Sequence, residues 1–302
     1  MGSKRPQPSK SLAAVVVTFN RSDKLRKVIE SLLAQTRMPD QIYVIDNAST
    51  DETPEVVGRF DPQIVRHVRL PENIGGAGGF NAGMRLAYEE GHEYFWVSDD
   101  DAYPAPDAIE ILQRELENFD DRTQYRAPYA CSRVDWTDGT ICNMNNPETV
   151  WDWPRWYEKD SAIFLVKSCS FVSVLVSRWA VEAHGLPLKE YFIWHDDVEY
   201  TLRLGRSYPG LFCPDSRVVH DTAKNEGTTL AKLDAGNLWK HRYGVRNQAS
   251  RVLRDRGLRG YLSYAVFVRG IMKANKIPRA LRMKVFGALI SGYFFRPEIE
   301  TV

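Results

Sequence analysis

Apolar positions over the first hundred residues fall alternately into short continuous runs and into helical spacing. Ala13 to Phe19 is a Val-rich run that predicts a buried strand. Lys24, Leu25, Val28, Ile29, Leu32 and Leu33 then follow the period of a helix, with Ser22 or Asp23 placed to cap it. Ile42 to Ile45 predicts a second strand, and the polar loop Asp46-Asn47-Ala48-Ser49-Thr50-Asp51 opens a helix near Glu52 to Phe60. Ile64 to Val68 reads as a third strand and Phe80 to Glu90 as a helix. Tyr94 to Val97 reads as a fourth strand, running directly into Asp99-Asp100-Asp101. This alternation predicts an α/β fold: a mostly parallel, Rossmann-like sheet with right-handed crossovers, flanked by helices, with a ligand crevice at the strand ends.

After a helix at about Pro106 to Phe119 the pattern loosens into a stretch containing Trp136, Trp151, Trp153 and Trp156. These indoles form either an irregular aromatic core or an acceptor subsite that stacks on sugar faces. Ile163 to Val166 and Phe171 to Val176 read as later strands, Tyr191 to Arg206 as a loop entering a helix, and the chain from Trp239 onward as mostly helical. The expected division is a flexible N-terminus (1–11), a catalytic domain (12–238) and a C-terminal helical extension (239–302).

Charge changes the picture of that extension. The 302-residue chain carries a formal charge of +1, which argues against a general nucleic-acid binder. Between Trp239 and Arg296, however, fourteen Lys or Arg face a single acid, Asp255. They intersperse with Tyr261, Phe267, Val285, Phe286 and Phe294, a composition that suits helices lying on an anionic membrane surface, or a solvated basic face at a homo-oligomer contact. Cys131, Cys142, Cys169 and Cys213 are widely spaced without a C-x-x-C pair, as buried reduced thiols would be. Leu12 to Phe19 lacks the cleavage site of a secretory signal, and Val285 to Phe295 falls short of the roughly 20 residues that span a bilayer. A cytoplasmic location is expected, peripheral at the inner face of the membrane.

Three segments carry candidate chemistry. Asp99, Asp100 and Asp101 cannot all stay ionised together without a counter-charge, and a divalent cation is the simplest one. In an extended stretch Asp99 and Asp101 point to one side and Asp100 to the other. The alternative is a solvated turn before a helix. Five glycines between Gly75 and Gly83 form a loop that lets backbone amides approach a phosphate, or else permit close helix packing. His195-Asp196-Asp197-Val198-Glu199-Tyr200 supplies carboxylates able to accept a proton from an attacking hydroxyl, or acids favoured at a helix start. His220 is a candidate third metal ligand or a structural histidine.

Taken in order, Val17 to Arg21, Val44 to Asp51, Glu72 to Gly83, Asp99 to Asp101, Asp196 to Arg203 and Val219-His220 resemble family 2 glycosyltransferases of the GT-A fold, over roughly residues 12 to 250. The resemblance implies inverting transfer from a nucleotide-sugar donor to an acceptor hydroxyl, with Mn2+ or Mg2+ as cofactor. It implies that Thr18, Asn20, Arg21, Asp46 and Asn47 contact the nucleotide, with Asn73, Gly75, Gly76 and Asp100 beside the diphosphate and donor sugar. Asp99 and Asp101 match the D-x-D metal motif, with His220 as a further ligand. The family's E-D-x-D-L-x-x-R stands here as Asp196 to Arg203, making Asp197 the base, Asp196 standing in place of Glu. Asn73 to Phe80 with Trp194-His195-Asp196-Asp197 is similar to bacterial galactofuranosyltransferases, placing Trp194 and His195 at the substrate, with a glycan or lipid-linked glycan as acceptor. Rhamnosyltransferases using dTDP-rhamnose are next most similar. A non-catalytic sugar-nucleotide or glycan-binding protein would have lost one of the two acidic clusters, and both are intact. A membrane-recruited scaffold would leave them far apart.

Overall fold

The computed structural model describes residues 10–156 and 163–302; most of the segment expected to be flexible lies outside the described residues, as does the side chain of Trp156. Strands β1 (Leu12–Thr18), β2 (Gln41–Asp46), β3 (Val65–Arg69) and β4 (Tyr94–Asp99) alternate with helices α1 (Ser22–Leu33), α2 (Thr53–Val57) and α3 (Gly75–Glu89). β1 pairs in parallel with β2 and β4, and β2 with β3. Every residue of β1 is buried, which explains a continuous apolar run in place of alternation.

The sheet continues past β4 into a mixed half whose strands the sequence pattern only partly predicts. It contains β5 (Ala102–Pro104), α4 (Ala108–Arg122), β6 (Tyr129–Trp136), β7 (Glu148–Thr149), β8 (Phe164–Ser168) and β9 (Val172–Ser177), then α5 (Arg178–His184), α6 (Asp196–Leu204) and β10 (Gly210–His220). The order is β3-β2-β1-β4-β9-β6-β10-β8-β7, with β5 beside β10. β9 lies antiparallel between β4 and β6, and β10 runs parallel to β6. Direction is therefore restored after β9, and the carboxyl ends of β1, β2, β4, β6 and β10 share one edge. Thr18, Asp46, Asp99, Trp136 and His220 end those strands.

Helices cover both faces. Leu25, Ile29 and Leu32 of α1 and Ile109, Leu112 and Leu116 of α4 pack on one, with Val16, Val44 and Trp96 of the sheet. Phe80 and Met84 of α3, Val181 of α5 and Tyr200 and Leu204 of α6 pack on the other, with Val15, Ile45 and Val97. Beyond the sheet, α7 (Leu238–Ala274) and α8 (Arg279–Phe294) form a hairpin with a small core of its own, including Val245, Met272, Val285 and Leu289. α7 is kinked at Gly257, where φ is +64°. No helix among the described residues is long and apolar enough to cross a membrane.

Several expectations need correction. α1 begins at Ser22 with Arg21 as its cap residue, and neither Ser22 nor Asp23 caps it; Asp51, from the loop after β2, accepts the Ser22 N–H at 3.0 Å. The glycine run is not a loop: α3 starts at Gly75, five residues earlier than its apolar period indicates. A Cβ at Gly79 would lie 2.5 Å from Val17 Cγ1, and one at Gly83 2.4 Å from Val15 Cγ1, so these glycines let α3 lie directly on β1. The tryptophans scatter. Trp151 is 89% exposed, Trp153 packs on Phe164, and the Trp136 indole donates to the Thr222 carbonyl at 2.9 Å. All four cysteines are free and buried.

Candidate active site

Only Asp99 belongs to β4; Asp100 and Asp101 form a turn after it, and the turn, not the alternation of an extended strand, sends the three aspartates apart. Asp100 turns toward β1, accepting from Thr18 Oγ1 at 2.7 Å and from Arg21 Nη1 at 3.1 Å. Asp99 and Asp101 turn toward β10, where ligand atoms of Asp99, Asp101 and His220 lie within 4.8 Å of one another. Arg21 Nη1 also reaches Asp101 Oδ2 at 2.8 Å, and Lys24 Nζ stands 3.8 Å from the same oxygen. Much of the counter-charge demanded by the triplet is therefore supplied by the chain itself, through Arg21 and Lys24. Arg21, expected at the nucleotide, is an anchor of the acidic cluster.

Asp99 remains unmatched. Its carboxylate accepts no hydrogen bond among the described residues, and burial, then repulsion from Asp101, raises its pKa. Burial also favours protonation of Asp101, but the hydrogen bond and charge of His220, with Arg21 and Lys24, outweigh it and hold this carboxyl below its ordinary value. His220 Nδ1 meets Asn145 Oδ1 at 2.8 Å, an acceptor that orients the ring. Nε2 donates to Asp101 Oδ1, 3.1 Å away, the position a bound cation would take in place of that proton. Two carboxylates and an oriented imidazole suit a divalent cation, and the unmatched charge on Asp99 is what one would neutralise. Asn145, which no local sequence signal marks, is the residue that orients His220.

The residues expected around the nucleotide sit on the same edge, several of them as loop supports. Asn20, at φ +53°, accepts the Thr50 N–H at 2.7 Å and ties the loop after β1 to that after β2. Asp46 is fully buried; its oxygens engage the Ser49 N–H at 2.7 Å and His67 Nε2 at 3.0 Å, so it shapes the loop instead of facing the cleft. Asn47, also buried, accepts the Ile74 N–H at 3.2 Å and steers the chain into α3. Asn73 accepts the Gly75 N–H at 2.8 Å. Gly75 has φ +78° and lies against Phe192, whereas a Cβ at Gly76 would meet nothing within 4 Å. Of the glycines, Gly76 alone in this pair presents open backbone.

The second cluster hangs on a strained loop. Phe192, Trp194 and His195 all have positive φ, a costly conformation for residues with side chains. Asn247 of α7 holds it: its buried Nδ2 lies 2.9 Å from the Tyr191 carbonyl, 3.1 Å from that of Ile193 and 2.9 Å from that of Trp194. The Trp194 ring meets His241 edge-on at 5.0 Å, and Gly244 leaves room for it. The start of the supposed extension is thus built into the active-site edge. Glu199 is fully buried between Arg203, 3.1 Å away, and Arg254, 2.8 Å away, which makes it and Arg203 structural staples.

Among the described residues Asp196 and Asp197 have no such cation. Burial, then repulsion from Asp197, pushes Asp196 up to about 8; burial pushes Asp197 up to about 6, against hydrogen bonds from backbone N–H groups including that of Phe171. Burial, then Arg251, lowers His195 to about 4 and keeps its imidazole neutral. Phe171 precedes Val172, which pairs with Ser98, so the two acidic clusters stand at neighbouring strand ends. Beside the first cluster a cleft of about 490 Å³ is lined by Arg21, Lys24, Asp51, Asp101, Asp221 and Thr222.

A sheet with this strand order and acidic clusters at one edge defines a glycosyltransferase of the GT-A fold, and the chain belongs to glycosyltransferase family 2, whose model matches residues 13–161. Galactofuranosyltransferase GlfT1 of Mycobacterium tuberculosis H37Rv is 30% identical over 233 residues, 72% of each chain. GlfT1 of Mycolicibacterium smegmatis is 27% identical over 234 residues, 71% of this chain and 72% of that one. Among solved structures, S. aureus TarS 1–349 is similar with a TM-score of 0.61 at 15% identity, covering 93% of this chain and 80% of that one. GalNAc-T7, solved with UDP, GalNAc and Mn2+, gives 0.60 at 14% identity, covering 80% of this chain and 47% of that one. These two share the fold. The chain is a glycosyltransferase that takes a nucleotide-sugar donor and a glycan acceptor, with a carboxylate and histidine group able to hold a divalent cation.

Proposed function

We propose that this enzyme transfers galactofuranose from UDP-galactofuranose, with inversion, to a hydroxyl of a glycan or lipid-linked glycan. The observation that carries the mechanism is the placement of Asp197, raised toward neutrality by burial, one strand end from the Asp99, Asp101 and His220 group. Similarity to the two GlfT1 enzymes supports the choice of sugar.

Asp99, Asp101 and His220 would hold Mn2+ or Mg2+, which would offset charge on the leaving diphosphate. Asp197 takes the proton of the acceptor hydroxyl, whose oxygen attacks the anomeric carbon as the bond to the nucleotide diphosphate breaks on the opposite face. Asp196 is the poorer base because it keeps its own proton to higher pH. Thr18 and Arg21 hold Asp100, while Asn20, Asp46 and Asn47 shape the nucleoside side of the cleft. Gly76 lies beside the donor, Trp194 and His195 beside the acceptor, and Asn73 between the two. The basic α7–α8 hairpin, with Leu262, Val266, Phe267, Ile290 and Phe294 exposed, places the enzyme peripherally on an anionic membrane.

Calorimetric titration of UDP and dTDP, each with and without Mn2+, tests this reading. Metal-dependent preference for UDP is expected. Preference for dTDP would shift the donor to dTDP-rhamnose, and binding of neither nucleotide would remove the proposal.

A further inference from the structure

The α7–α8 hairpin meets the catalytic domain across a groove of about 760 Å³ that shares no lining residue with the cleft at Asp101. Phe19, Asn73 and Phe192 form its catalytic side; Trp239 and Tyr243 of α7 and Gly287 of α8 stand opposite. Phe192 stacks on Tyr243 with centroids 4.8 Å apart, and Trp239 meets Tyr243 edge-on at 6.5 Å. Lys240, Arg242 and Arg246 also line the groove, and no carboxylate does. Arg246 is occupied with the carbonyls of Glu190 and Tyr191, whereas Lys240, over the Trp239 ring at 5.5 Å, and Arg242 have no carboxylate partner among the described residues.

Aromatic walls lined by cations and by no carboxylate fit a ligand that is apolar along its length and anionic at its head. The groove also has an exit of the same character. Met283, Gly287, Ile290 and Phe294 fall in one row of α8 at helical spacing, and Met283, Ile290 and Phe294 are 61%, 60% and 73% exposed. Gly287 lines the groove and belongs to that row, so the groove opens onto an exposed apolar ridge.

We infer that this groove holds the phosphate-bearing lipid portion of the acceptor, with its phosphate at Lys240 and Arg242 and its first apolar carbons between Trp239, Phe192 and Gly287. The chain runs out along the α8 ridge. Phe192 belongs to the loop that leads into Asp196, so the groove adjoins the Asp196-Asp197 edge, and the sugar beyond the phosphate extends to it. This inference rests on the glycosyltransferase reading and adds which part of the acceptor is held, and where. A bulk membrane headgroup fits less well, because the cations stand in a concave groove and not on the ridge. The donor diphosphate belongs at the separate acidic cleft.

The test is a calorimetric comparison of farnesyl diphosphate, farnesol and inorganic pyrophosphate on the full chain, without donor or metal. Failure here therefore leaves the nucleotide titration untouched. Farnesyl diphosphate is expected to bind at least about tenfold tighter than either fragment. The double variant Lys240→Gln with Arg242→Gln should lose about tenfold of that affinity. Gly287→Leu should abolish it with the fold intact, since a Cβ there meets nothing within 4 Å and leucine favours a helix. Pyrophosphate binding as tightly as farnesyl diphosphate would overturn the inference in favour of a simple anion site, and farnesol doing so would reduce the groove to an apolar cleft. Loss of binding to phosphatidylglycerol vesicles in the double variant, with farnesyl diphosphate binding unchanged, would overturn it in favour of a headgroup surface.

Discussion

Two acidic clusters share one sheet edge in different electrostatic settings. In the first, cations of the chain pair with Asp100 and Asp101 and hold Asp101 below the ordinary carboxylate range, although burial still raises Asp99 and Asp100. Asp196 and Asp197 are equally acidic in composition, yet burial without a cation pushes both upward. Carboxylates driven apart in pKa by their surroundings can take different tasks in one reaction, charge-holding at the first cluster and proton acceptance at the second. Residue type alone does not divide those tasks; the neighbours do.

The largest effect should come from Asp197→Asn, which is expected to lower turnover about 10³-fold while leaving metal-dependent UDP binding unchanged. In the unaltered enzyme the base must be ionised, so turnover should fall as pH drops through about 6 and reach roughly a tenth of its plateau near pH 5. Unchanged turnover in the variant would break the division of tasks. Asp101→Asn should do the opposite, weakening Mn2+-dependent UDP binding on the order of 100-fold in calorimetry. Asn145→Ala touches no substrate and frees the Nδ1 side of His220; about tenfold weaker metal affinity is expected in a Mn2+ titration.

The smallest effect is on stability. The folded-state pKa of Asp196 is raised above its unfolded value, so the native state binds that proton more tightly and loses stability as pH rises from about 4 to about 8. Asp196→Asn should therefore raise Tm at pH 8 by about 2–4 °C, an increment that vanishes near pH 4. A variant less stable at pH 8 would mean that the charge is compensated after all.

The parallel half of the sheet was legible because β1, β2 and β4 are buried on both faces and therefore read as continuous apolar runs, as in Val15-Val16-Val17. The mixed half hid itself. β6 interrupts its apolar positions with Ser132, Arg133 and Asp135, and β10 carries Pro214 and an irregularity between Cys213 and Arg217. The start of α3 was obscured because glycine disfavours helix locally while packing against β1 demands it. Of the site, Asp99, Asp101 and His220 were visible as chemistry and do converge. Asn145 and Asn247 were not: each is one amide whose role exists only through partners 75 and more than 50 residues away.

The contact between α3 and β1 bears on how substitutions in this region should be interpreted. A saturation screen would mark Gly79 and Gly83 as intolerant and Gly76 as permissive for folding, since only the first two have no space for a methyl group. Any lineage that keeps α3 at this distance from the sheet must keep glycine at those two points, whatever nucleotide it binds. Invariance there would record the thickness of a layer, while drift at Gly76 would be the change able to report a different donor.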